Sequence, residues 1–138
     1  GIATLCEEIT AIGHFLDPNV VKVVRAEDGS ALYFSRAPIP WPRDAFARSR
    51  EEMPAALRAY RHIGIYAYRV DFLNRFVGWP VGALEALESL EQLRALEHGV
   101  RIRVVETRHD SVGVDTPDDL ARVQRHLERR AWTPSSSS

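Results

Sequence analysis

The 138-residue sequence predicts an α/β domain in which helices cover a sheet, and three observations carry that expectation. Apolar runs with the two-residue period of strands alternate with runs of helical period. Two of the strand runs, in NVVKVVRAEDGSALYFSR (19–36), flank an Asp-Gly pair, a strong signal for a tight hairpin. The stretch GALEALESLEQLRALEHG (82–99) places leucine at 84, 87, 90, 93 and 96 and stops at Gly99, as a helix does. Strands alternating with helices make an α/β class, to which the hairpin adds a projecting or antiparallel element.

The elements follow in order. GIATLCEEI starts without Met and reads as the interior of a strand, so a truncated start is expected. After the hairpin, APIPWPRD carries prolines at 38, 40 and 42, which end regular pairing and predict an extended loop. SREEMPAALRAY (49–60) is expected to be a short helix, HIGIYAYRV (62–70) a strand, and VDFLNRFVGWP (70–80) a helix closed by Gly78 and Pro80. The leucine helix comes next, then a strand in VRIRVVET (100–107) and an amphipathic helix in TPDDLARVQRHLERRA (116–131). Residues 1–130 are expected to form one domain unit, and 131–138, ending in four serines, a disordered tail.

Composition narrows the function. With 45% hydrophobic residues the chain is long enough for a real core. A net charge of −1 gives no broad field for nucleic acid or an anionic membrane. Cys6 is the only cysteine, which excludes an internal disulfide or a cysteine metal cluster and fits a reducing compartment. No apolar run approaches the ~20 residues that span a bilayer. A cytoplasmic protein is the expectation.

Four places in the sequence carry more than packing. In HIGIYAYRV the pleat sends His62, Gly64, Tyr66 and Tyr68 to one face, and Ile63, Ile65 and Ala67 to the other, read as the core face. Gly64 either leaves room for a ligand or sits in a half-exposed strand whose aromatics pair across strands. Arg94 falls between Leu87 and Leu90 on the helical wheel and needs an anionic partner. Glu91, three residues earlier, supplies one within the helix, unless Glu91 and Gln92 turn towards a polar ligand. Arg36 ends a strand and Arg43 follows the proline loop, positions that suit a carboxylate or phosphate, or plain solvation. In SVGVDTPDDL, Thr116 caps a helix and Pro117 suits its first turn, but Asp115 has no such role. A carboxylate on such a turn is a common seat for Mg²⁺, and an ordinary turn residue as well. No glycine-rich phosphate loop, CxxC or nucleophile elbow is present.

Together LYFSRAPIPWPRD, RHIGIYAYRVDFLNRF, LEALESLEQLRALEHG and GVDTPDDL resemble, in order and spacing, the C-terminal half of 3-deoxy-manno-octulosonate cytidylyltransferases (CMP-Kdo synthetases). The resemblance covers nearly the whole chain. It implies the C-terminal portion of a nucleotide-diphospho-sugar transferase-like, Rossmann-like three-layer fold, serving as the sugar-binding and dimerisation half. It also implies transfer of CMP from CTP to Kdo with release of pyrophosphate, Mg²⁺ dependence, a homodimer and a role in lipopolysaccharide assembly. Carried over by motif, Arg36, Arg43, His62, Tyr66, Glu91 and Gln92 would line the Kdo site, and Asp115 would be the catalytic Mg²⁺ ligand.

The sequence departs from the family at two points in these blocks. VGALE stands where Ser-Pro-Leu-Glu is usual, an expected loosening of the helix start, and Ala67 replaces a glycine. The family's N-terminal CTP loop and second metal carboxylate are also missing, so this chain is expected to bind CTP poorly and to turn over little unless that half is supplied separately. A sialate cytidylyltransferase, a non-catalytic sugar-binding or dimerisation fragment, and a plain structural domain are the rival readings.

Overall fold

A computed structural model describes residues 1–108. Five strands form one mixed sheet in the order β3-β2-β4-β1-β5. They are β1 (Ile2–Glu8), β2 (Lys22–Arg25), β3 (Ala31–Ser35), β4 (Tyr60–Tyr68) and β5 (Ile102–Thr107). β1 runs parallel to β5 and antiparallel to β4. The α/β expectation holds over the described residues; the tail, Asp115 and the final predicted helix lie outside them.

The hairpin turns where Asp-Gly predicted. Gly29 has φ +88, a conformation open to glycine, and Asp28 Oδ1 accepts from the Ser30 N–H at 2.9 Å. Its tip does not stand free. Val104 N–H donates to Gly29 O at 2.9 Å and Ser30 bridges Arg103, so the tip reaches β5. The hairpin thereby lays Val23 and Phe34 into the main core, with Cys6, Leu93, Ile102 and Phe72.

That core corrects the expected facing of β4. His62 and Tyr66 do lie opposite Ile63, Ile65 and Ala67, as the pleat dictates. It is the His62–Tyr66 face, however, that meets the larger apolar cluster; Ile63, Ile65 and Ala67 flank a smaller one of Ala3, Leu5 and Val105. Alternation shows which residues share a face, and the covering hairpin and helices decide which face is drier.

Two helix expectations are also corrected. The segment 49–60 holds no helix; α2 forms earlier, at Arg43–Arg48, out of the proline loop. Pro42 sits at its N-cap, where a missing N–H costs nothing, whereas Pro54 lacks the donor a helix interior requires. A short α1 (Ile12–Leu16), not expected, packs Phe15 against Phe46 of α2. The leucine helix is two: α4 (Ala83–Glu88) and α5 (Gln92–Glu97), separated by Ser89 at φ 55. Leu87 is consequently 80% exposed while Leu93 is fully buried, so the leucines do not form one stripe. The helix α3 (Val70–Val77) forms as expected and buries Phe72.

The VGALE departure does not leave the start of α4 open. Glu97 of α5 reaches back, and its Oε1 accepts the N–H groups of Leu84 at 3.0 Å and Glu85 at 3.3 Å. Gly82 makes room for it: a Cβ there meets the Glu97 carboxylate at 2.5 Å.

Candidate functional site

β4, α3 and α5 enclose a cavity of about 310 Å³. Its walls include Tyr66 and Tyr68 from β4, Phe72, Phe76 and Val77 from α3, and Glu91, Gln92 and Arg94 at the start of α5. Three residues expected at a sugar site, Tyr66, Glu91 and Gln92, therefore meet in one opening. His62 stands behind them, with its ring 5.4 Å from that of Tyr66 and edge-on to Phe34 at 4.9 Å.

The orientation of His62 follows from Thr4, a residue sequence reading missed. β4 carries a bulge opposite Thr4 and Leu5, where Thr4 pairs Tyr66 but Leu5 pairs Ile63. Gly64 lies in that bulge, is exposed and does not line the cavity. The bulge frees carbonyls, and Thr4 Oγ1 donates to Ile65 O at 2.7 Å. With its one proton committed, the hydroxyl accepts from His62 Nε2–H at 2.9 Å. Nδ1 then faces the Gln92 amide at 3.5 Å as the acceptor. A glycine inside a strand pattern was the available sign of this bulge.

Burial tunes the same groups. Desolvation pushes His62 down from 6.5 to about 4, so at neutral pH the ring is uncharged. Burial, and then the nearby Glu91 carboxylate, raises the Tyr66 phenol, which stays a neutral O–H donor. The cavity thus offers a neutral imidazole at its back, an amide, a phenol and one exposed carboxylate.

Arg94 has a different partner from the one expected. Its Nε and Nη2 each donate to the Glu85 carboxylate at 2.7 Å, across the break from α5 to α4. Phe76 lies under the guanidinium, 4.6 Å away. The hydrogen bonds from Arg94 hold the Glu85 carboxyl below its usual range. Glu91 is left exposed at the cavity rim.

The two loop arginines stand apart from the cavity lining. Arg36 places its guanidinium on three main-chain carbonyls, donating from Nε to Glu88 at 2.6 Å, from Nη1 to Pro18 at 3.1 Å and from Nη2 to Ser89 at 3.3 Å. It therefore reaches the segment leading into Glu91 and Gln92. Arg43 is 85% exposed in its side chain and pairs with Asp44 at 3.0 Å. Among the described residues no group of three or more His, Cys, Asp or Glu is placed to hold a metal ion, and Asp115 lies outside them. No described helix is long and apolar enough to cross a membrane.

The chain belongs to the cytidylyltransferase family, whose model matches residues 1–102. More narrowly, it is 56% identical over 91% of its length to the 3-deoxy-manno-octulosonate cytidylyltransferase of Xanthomonas oryzae pv. oryzae. It is equally similar, at 56% over 93%, to the enzyme of that name from Pseudomonas syringae pv. tomato. A solved structure of CMP:2-keto-3-deoxy-manno-octonic acid synthetase complexed with CTP superposes with a TM-score of 0.69 at 40% identity, over 94% of this chain and 49% of that one. The chain spans about half the length of these relatives, 49% and 51% of the two sequences.

Proposed function

We propose that this chain is the sugar-recognising half of an enzyme that transfers CMP from CTP to Kdo. The sugar's anomeric hydroxyl attacks the α-phosphorus, a new O–P bond forms, and the bond to the β-phosphate breaks as pyrophosphate leaves. The hydroxyl proton passes to solvent or the departing phosphate. The observation that carries the reading is the convergence of Tyr66, Glu91 and Gln92 on one cavity, with a neutral His62 fixed behind Gln92.

Each group has a task suited to a polyhydroxylated acid. Glu91 accepts hydrogen bonds from sugar hydroxyls, the Tyr66 phenol donates one, and the Gln92 amide does both. Because the ring of His62 is locked by Thr4, Gln92 is held in one pose, and the sugar is bound without first ordering that side chain. The resemblance also assigns Arg36 and Arg43 to the Kdo carboxylate, although both stand outside this cavity, Arg36 on the carbonyls of Glu88, Pro18 and Ser89 and Arg43 beside Asp44.

Asp115, with carboxylates from the preceding half, would hold Mg²⁺, which neutralises the triphosphate as pyrophosphate leaves. The enzyme works as a homodimer in the cytoplasm, where CTP is available, and its product feeds lipopolysaccharide assembly.

Pyrophosphate release tests the proposal. With CTP, Kdo and Mg²⁺, the chain combined with the preceding half of its relatives is expected to release pyrophosphate, and Asp115→Asn to abolish release. The 138-residue chain alone is expected to bind Kdo without turnover. Absence of release from the combined halves overturns the reading.

A further inference from the structure

The break between α4 and α5 is held by unusual means. Ser89 sits at φ 55, where a residue with a Cβ is disfavoured, and such strain persists only where the surroundings impose it. Here they are supplied by β3 and the residue after it. The half-buried carboxylate of Glu88 accepts from Tyr33 Oη at 2.9 Å, Ser35 Oγ at 2.8 Å and the Arg36 N–H at 2.8 Å. The Glu88 carbonyl accepts from Arg36 Nε at 2.6 Å, and the Ser89 carbonyl from Nη2. Both ends of Glu88, side chain and main chain, are thereby fastened to the hairpin.

This fastening has a consequence for the cavity. Were α4 to run on as one helix, Glu91 and Gln92 would fall on faces set by 100° per residue. With the chain turned at Ser89, Glu91 becomes the N-cap of α5 and Gln92 its first residue, and both line the cavity. We propose that Glu88 is a positioning residue: by tying the end of α4 to β3 and to Arg36, it sets the turn that aims Glu91 and Gln92 at the sugar. The proposal rests on the Kdo reading above for its ligand, but its geometry is independent of it.

The test uses the 138-residue chain, ¹⁵N-labelled, as wild type, Glu88→Ala, Glu88→Asp and Phe46→Leu. Phe46 is buried against Phe15, away from the cavity, and provides a destabilised control. Two readouts need no ligand, the Arg36 Nε–H resonance and the Gln92 side-chain amide; a third is affinity for Kdo. Glu88→Ala is expected to move both resonances and weaken Kdo binding at least tenfold. Glu88→Asp, which keeps the charge on a shorter tether, is expected to fall between, and to carry the test where Glu88→Ala does not fold.

Phe46→Leu is expected to lower the melting temperature with wild-type affinity. The proposal is overturned if Glu88→Ala and Glu88→Asp leave the Gln92 resonance in place, or lose no more affinity than Phe46→Leu at a matched melting temperature. If the wild type itself does not bind Kdo, the sugar reading fails, and the two resonances alone decide the positioning role.

Discussion

Protonation of His62 is the most quantitative perturbation the site offers. Its ring is neutral in the fold because charging it means burying a cation against Phe34 and giving up acceptance at Nδ1. The folded value of about 4 lies below the ordinary 6.5, so the folded state resists protonation and the unfolded chain does not. The resulting stability is present above 6.5 and drains away as pH falls from 6.5 towards 4. From these two values linkage gives a loss of about 2 kcal/mol between pH 7 and pH 5, approaching about 3 kcal/mol below pH 4.

Acid also weakens the fold through Glu85 and Glu88, whose carboxyls are held below their usual range. Urea unfolding of wild type and His62→Gln across pH 7 to 4 separates the effects, since the carboxylates are common to both. The stability difference between the two proteins is expected to shrink by about 2 kcal/mol by pH 5. A difference that stays flat, or an NMR titration of the His62 ring centred near 6.5, refutes the reasoning.

The other predictions concern the scaffold. Ser89→Gly relieves the positive φ and is expected to raise stability by about 1 kcal/mol while keeping the α4–α5 break, read in urea melts. Phe34→Ala empties a fully buried site in the main core and is expected to cost about 3–5 kcal/mol by the same assay. Glu97→Ala removes the acceptor shared by Leu84 and Glu85 and is expected to cost about 1 kcal/mol, with faster amide exchange confined to the first turn of α4.

The sequence made some of this legible and hid the rest for physical reasons. Alternation placed His62 and Tyr66 on one face of β4, and Asp28-Gly29 located the hairpin, because both signals are local. The grouping of Tyr66, Glu91 and Gln92 came from motif resemblance; no periodicity joins a strand to a helix start so far along the chain. The break at Ser89 was invisible, since 82–99 is made of good helix formers. It is imposed from outside by Arg36 and by the contacts of Glu88 with β3, which no window over the helix contains. The partner of Arg94 was misjudged for that same reason: the break brings Glu85, nine residues back, to the guanidinium, where an unbroken helix offers Glu91. Thr4 was missed because its role exists only once the bulge has freed the carbonyls of β4.

Sugar recognition by this cavity is tested most directly by titrating the ¹³C,¹⁵N-labelled chain with Kdo and recording which side chains respond. Intermolecular contacts from the sugar to the Tyr66 ring and the Gln92 amide are expected, with shifts fading beyond the cavity. Saturating Kdo that leaves both signals unmoved, or that perturbs a surface remote from Glu91, contradicts it.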